Sequence, residues 1–250
     1  MSDILIAIKR NPNLQWVKKA YRFFVPTNDE RIISTQKKRS PDIISSYFKK
    51  EGKKKLYIGC QHQPIDGWLN VDILPGRPSV VYMDATKTFP FQDNLFDFIF
   101  CEHMIEHVKL EEGIFMLSEC LRVLKPGGIM RIVTPDLNFL VKLFSEEKDE
   151  LRVRYINSCK KYFPSLDFIN EAMVLNNFMR NWGHQFVYDK STLRFAIEKA
   201  GFDHIEECNV GESSFKELLD IEQHGKEIGD DFNKLESFVV EAHKKVIVND

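Results

Sequence analysis

Apolar and polar positions follow two different patterns on either side of residue 55. Ahead of it, residues 13–25 (NLQWVKKAYRFFV) set Val17, Tyr21 and Phe24 on one helical face and Lys18, Lys19 and Arg22 near the others, and Pro26 ends that helix. A polar, basic linker is expected over Thr27 to Arg39. Ser40-Pro41-Asp42 then has the order of a helix start: a capping serine, a proline at the first position and an early acid. The helix it opens, DIISSYFKK, runs into Lys53-Lys54-Lys55.

Beyond residue 55 strand-like runs recur: KLYIG, WLNVDI, SVVYMD, FDFIFC, GIMRIVT, DHIEECNV and SFVVEAHK. Helical patterns separate the later ones. Residues 111–124 carry a stripe at Ile114, Leu117, Leu121 and Leu124, which Lys125-Pro126-Gly127-Gly128 should stop and turn into the next strand. Residues 190–200 (KSTLRFAIEKA) form another helix, closed by Gly201. Strands alternating with helices predict an α/β, Rossmann-like, doubly wound and mostly parallel seven-stranded sheet with helices on both faces. Residues 1–54 are read as a basic helical extension, 55–250 as the main domain, and 136–185 as a largely helical, aromatic-rich insertion or lid after the fifth strand.

Composition narrows the class. A chain of 250 residues with 43% hydrophobic content builds a real core. No apolar run approaches the roughly 20 residues a membrane-spanning helix needs. The short apolar stretch Ile4 to Ile8 is followed, not preceded, by Lys9 and Arg10, the wrong order for a secretory signal. Five scattered cysteines without CxxC spacing predict reduced thiols and a cytoplasmic protein. The net charge of −2 hides an asymmetry: residues 1–55 hold 14 Lys+Arg against 5 Asp+Glu, the rest 21 against 32. A basic head on an acidic body expects an anionic contact, either a membrane surface touched peripherally, a phosphorylated substrate or the body itself, when it is not simply a solvated face. No nucleic-acid partner is expected.

In doubly wound sheets ligands sit at the carboxyl ends of the strands, so Gly59, Asp72, Asp84, Glu102-His103 and Thr134–Asp136 are the positions to inspect. Asp72 caps the second strand beside the glycine turn that ends the first, where an acid either binds a ribose diol or is simply a strand-end carboxylate satisfied by water. The 13 residues from Gly59 to Asp72 fall short of the roughly 20 of an ordinary dinucleotide unit. They leave no room for a crossover helix, and Gln61 stands where a second glycine is usual. Asp84 is placed either to reach an adenine amino group or to cap its own turn. His103-Met104-Ile105-Glu106-His107 matches H-x-x-E-H, a spacing that on a helix would grip one zinc with Glu106 as base. His184, after Gly183 and before aromatic residues, is either a buried structural histidine or a base carried on the lid.

Together YIGC with Asp72, MDAT, FDFIFCEHMIEHV, LRVLKPGGIMRIVTPD and GHQFVYDKSTLRFAIEKAGF resemble the class I S-adenosylmethionine-dependent methyltransferases, more narrowly the type 11 group. NKLESFVVEAHK resembles that group's last strand; residues 1–50 are not covered. The resemblance implies S-adenosylmethionine as cofactor and S-adenosylhomocysteine as product. It implies Gly59, Cys60, Gln61, Asp72, Ile73, Met83, Asp84, Cys101 and Glu102 around the cofactor, with Asp72 on the ribose, Met83-Asp84 flanking the adenine and residues 101–103 at the methyl-donor mouth. Gln61 and His62 are candidates to receive the cofactor's carboxylate. Members of the group accompany polysaccharide and glycolipid assembly, which implies a small-molecule or sugar hydroxyl as acceptor and His184 or His103 as base. A zinc-dependent hydrolase at 103–107 and a non-catalytic cofactor-binding module are the alternatives.

Overall fold

The apolar runs become strands because parallel strands buried on both faces need apolar residues throughout. In the computed structural model, which describes residues 28–246, these are β1 (Lys55–Ile58), β2 (Leu69–Asp72), β3 (Val81–Tyr82), β4 (Phe96–Glu102), β5 (Leu124–Pro135), β6 (His204–Cys208) and β7 (Ser237–His243). They form one sheet in the order β3-β2-β1-β4-β5-β7-β6, parallel except for β7, which runs antiparallel to both β5 and β6. The predicted seven-stranded, mostly parallel sheet is therefore present. Alternation splits each strand between two cores. Leu56, Ile58, Ile99 and Cys101 face one cluster; Tyr57, Phe98 and Phe100 face the other.

The first cluster is covered by α1 (Asn28–Lys49), α2 (Leu110–Val123) and α6 (Lys190–Lys199). The predicted linker and helix start before residue 49 are corrected here. Residues 28–49 form one helix with Pro41 inside it. Ser40 does not cap: its hydroxyl donates to the Gln36 carbonyl at 2.7 Å and accepts from the Tyr82 amide at 3.0 Å. The side chain thus ties the helix to β3 where Pro41 lacks an N–H. The helix read over residues 13–25 lies outside the described residues. On the basic segment, Lys53 pairs with Glu217 at 2.9 Å, a contact with the acidic body.

A second correction concerns Lys125–Gly128. Instead of separating helix from strand, these residues belong to β5, and the register steps from Phe96↔Leu124 to Phe98↔Ile129. The extra residues bulge from the ladder. Gly127 donates to the Lys244 carbonyl and Lys244 to that of Gly128 (both 2.9 Å), so β7's end holds the bulge in place.

The 136–185 stretch contains α3 (Leu137–Lys142), α4 (Glu150–Ser158) and α5 (Glu171–Arg180), which share a core of Phe139, Leu140, Leu143, Tyr155, Ile156, Val174 and Phe178. Two short helices unread in the sequence, α7 (Gly225–Ile228) and α8 (Asp230–Glu236), precede β7. No described helix is long and apolar enough to cross a membrane. The five cysteines are free thiols, as expected.

Candidate active site

Strand order reverses between β1 and β4, and a crevice opens there at the carboxyl ends of both strands. It is a cavity of about 380 Å³, within the range of ligand pockets. Gly59, Cys60 and Gln61 after β1, Glu102 and His103 at the end of β4, and Glu106, His107 and His184 all line it. Both proposed bases are thus in one wall with four of the nine expected cofactor residues.

The β1 turn needs its glycine. Gly59 has φ +76°, and a Cβ there would come within 2.6 Å of the Met104 side chain. Gly59→Ala is expected to cost about 1–2 kcal/mol from the left-handed backbone alone, seen as a lower denaturant midpoint. Gln61 also has positive φ, +45°. Its amide donates to Asp72 Oδ2 at 2.8 Å, and Leu74's amide donates to Oδ1 at 2.7 Å. Asp72 therefore stands behind the wall and shapes the turn. Burial pushes its carboxyl up, and these two amides offset part of that shift. Each oxygen keeps a second lone pair.

Other expected residues are elsewhere. Ile73 is 55% exposed, while Met83 is buried in the core. Asp84 adopts its capping alternative, accepting from Thr86 N at 3.0 Å and Thr86 Oγ1 at 2.7 Å. Cys101 is fully buried with Ile99 because the pleat of β4 turns it into the core; only Glu102 and His103 of the 101–103 trio reach the cavity. His62 is exposed, and its carbonyl accepts from Arg77 Nε. Glu102 accepts from the Gln223 amide (2.8 Å) and the His224 amide (3.0 Å), which holds Gln223-His224 in the cavity wall.

H-x-x-E-H does not assemble as a helical zinc grip. Ile105–His107 is a single 3₁₀ turn, His103 precedes it at φ +45°, and the two histidines fall in different side-chain groups. At three residues per turn, positions 103 and 107 do not align. Instead His103 Nδ1 faces Glu106 Oε1 at 3.4 Å and Nε2 bonds Ser237 Oγ at 3.0 Å. Burial opposes charge on His103, yet Glu106, then Glu236 and Glu102, outweigh it and hold the imidazole more basic than usual. Burial likewise acts against the charged form of Glu106, and His103 beside it overcomes that and holds the carboxyl below its usual range.

His184 is the opposite case. Burial lowers its basicity, with Glu106 offsetting part of the effect. Its Nδ1 lies 2.8 Å from the Phe178 carbonyl, an acceptor only, so Nδ1 carries the hydrogen and Nε2 the lone pair. Sequence reasoning missed the residues that complete the cavity. His224 stacks on His103 with centroids 3.9 Å apart and bonds Glu236 Oε1 at 3.0 Å; Tyr155 donates to Glu236 Oε2. Tyr162, Phe178, Trp182 and Phe232 add aromatic wall. The one available signal was Glu236 directly before the last strand.

Residues 66–132 match the protein family described as a methyltransferase domain. A solved SAM-dependent methyltransferase from Archaeoglobus fulgidus is 20% identical, covering 90% of this chain and 99% of its own, with a TM-score of 0.45. One from Thermotoga maritima is 15% identical, covering 92% and 97%, with a TM-score of 0.43. An uncharacterised protein of Methanocaldococcus jannaschii is 28% identical over 108 residues, 37% of this chain. The chain spans 46% of that relative, less than half its length. The matched segment, which runs from ahead of β2 into β5 of the sheet, is similar to a methyltransferase domain, in line with the resemblance to the class I S-adenosylmethionine-dependent methyltransferases noted in the sequence.

Proposed function

We propose that the chain transfers a methyl group from S-adenosylmethionine to a hydroxyl of a small molecule or sugar, with His184 as the base. The observation that carries this is the His184 tautomer: Nδ1–H is engaged by Phe178 O, and Nε2 is left in the wall of the cavity that Gly59 and Gln61 also line. The cofactor fits the residues present. Gly59 keeps the turn free of a Cβ, and each Asp72 oxygen takes one backbone amide and keeps a lone pair for a further donor. When bound, S-adenosylmethionine supplies a sulfonium-activated methyl group.

This chain's part is to align acceptor and methyl carbon, worth up to about 7–11 kcal/mol when geometry is good, and to take the hydroxyl proton on His184 Nε2. His103, whose Nδ1 faces Glu106 and whose Nε2 bonds Ser237 Oγ, has both ring nitrogens engaged and suits that step less well than His184. The aromatic wall of Tyr155, Tyr162, Trp182 and Phe232 beside Glu102 and Glu236 suits a sugar or ring-bearing alcohol, one face apolar and one edge hydrogen-bonded.

The direct test is release of S-adenosylhomocysteine with labelled cofactor across matched alcohol and amine acceptors; methylation of amines alone removes the hydroxyl assignment. For the cofactor cradle, Asp72→Ala should weaken S-adenosylhomocysteine binding at least tenfold, about 1.4 kcal/mol or more. Part of the loss would come from freeing the Gln61 and Leu74 amides. An unchanged dissociation constant by calorimetry would remove Asp72 from the cofactor site.

A further inference from the structure

Three sets of histidine and carboxylate side chains among the described residues bring ligand atoms within 4.8 Å of one another. His204, Glu206 and His243 lie toward the surface, where His204 and Glu206 already bond each other at 2.7 Å. In the set of His103, His224 and Glu236 the two rings are stacked, and each imidazole spends a nitrogen on a neighbour, Ser237 or Glu236. Glu106, His107 and His184 form the third set, and it differs in what it leaves unsatisfied.

Glu106 is 0% exposed, and its Oε1 has no hydrogen-bond partner. The 3.4 Å approach to His103 Nδ1 is an electrostatic contact but not a hydrogen bond. Its Oε2 accepts from Thr134 Oγ1 at 3.1 Å, which fixes the carboxylate plane. A buried carboxylate oxygen left with one long ion-pair contact and no hydrogen bond is under-satisfied, at a cost of about 1–3 kcal/mol for a missing hydrogen bond, and a metal cation on its open side would complete it. His184 is oriented in the way ligating imidazoles are, with one ring N–H on a backbone carbonyl and the other nitrogen free. His107 meets it with ring centroids 4.9 Å apart.

The backbone joins the three residues. Gln185 and Phe186 amides donate to the Glu106 carbonyl at 2.7 and 3.1 Å, and Gln185 Nε2 donates to the His107 carbonyl at 2.7 Å. The segment carrying His184 is therefore pinned to the turn carrying the other two.

We propose that Glu106, His107 and His184 form a binding site for a divalent first-row transition ion, zinc or one of similar coordination chemistry, at the cavity wall. Two imidazoles and one carboxylate are a ligand set for such ions, not for calcium or magnesium, and the cavity side leaves a fourth position for water or an acceptor oxygen. A tetrahedral ion with bonds of about 2.1 Å keeps its ligand atoms about 3.4 Å apart, so the set closes by side-chain shifts of about an ångström. This site differs from H-x-x-E-H: Glu106 is a ligand, His184 comes from a distant segment, and His103 takes no part. The site is argued independently of the reaction, but it uses the same His184 Nε2, so metal-loaded and base-competent forms are alternatives.

The test uses the full chain without an affinity tag, titrated with Co²⁺. Saturable uptake of a single equivalent is expected, with visible d–d bands of a low-coordinate site that Zn²⁺ displaces. In the unmodified protein, Co²⁺ should broaden the ring NMR signals of His107 and His184 and leave those of His204 and His243 sharp. His107→Ala, His184→Ala and Glu106→Gln should each weaken Co²⁺ binding at least tenfold, and His204→Ala should leave it unchanged. Absence of saturable uptake, or broadening at His204 and His243 instead, would overturn the proposal. S-adenosylhomocysteine calorimetry on the same samples reads the methyltransferase assignment separately.

Discussion

Replacing His184 by alanine is expected to slow methyl transfer to an alcohol about 100- to 10,000-fold, the usual contribution of a positioned general base, while the dissociation constant for S-adenosylhomocysteine stays unchanged. The split follows from where the side chain is anchored. Its Nδ1 bonds the Phe178 carbonyl at the end of α5, and the residues of the β1 turn owe none of their hydrogen bonds to it. A purely structural histidine would behave differently, because loss of that anchor would lower the thermal midpoint and ligand affinity together. Imidazole added to the variant should restore part of the rate if the missing function is a proton acceptor. Full turnover in His184→Ala would remove the base assignment. His103→Ala is a poorer probe, since it removes the ion-pair partner of the fully buried Glu106 carboxylate.

The sheet was legible because doubly buried strands announce themselves. Leu56-Tyr57-Ile58 and Phe98 to Cys101 are apolar on successive residues, and all of those positions are more than nine-tenths buried. The carboxyl-end rule then located Gly59, Glu102 and His103 without knowledge of contacts. What failed were features decided by tertiary partners. Ser40-Pro41 has the order of a helix start, but the Tyr82 amide takes the serine hydroxyl and the helix continues. Lys125–Gly128 has the composition of a stop, but Lys244 on the neighbouring chain end pairs with it across the sheet. Asp84 was ambiguous between adenine and its own turn, and Thr86, two residues away, claims it. Part of the cavity wall comes from a stretch with no clear periodicity, including Gln223-His224 and Glu236. Their placement depends on long-range bonds to Glu102 and Tyr155, which no local pattern encodes.

Glu241→Ala is expected to destabilise the fold by about 3–5 kcal/mol, the cost of leaving a buried charge partly unpaired. Arg131 on β5 is 0% exposed and sits between two carboxylates. Its Nη1 donates to Glu241 Oε1 at 2.6 Å and its Nε to Glu222 Oε1 at 2.8 Å, with Nη2 on the same Glu222 oxygen. Two further donations, to the Glu212 carbonyl at 2.9 Å and the Asn209 carbonyl at 3.3 Å, tie the connection after β6 down onto the sheet. That connection continues into Gln223 and His224, whose amides bond Glu102 at the cavity. The variant should therefore lose S-adenosylhomocysteine affinity as well as stability, although residue 241 lies outside the wall. Replacing Arg131, Glu222 and Glu241 together by methionine and leucines should recover part of the stability, since no charge is then stranded. It should not recover all of it, because the Asn209 and Glu212 carbonyls would still lack donors. Urea midpoints of the single and triple variants decide this. A single variant within about 0.5 kcal/mol of the parent, the range of ordinary surface substitutions, would mean the arginine is solvated rather than sealed.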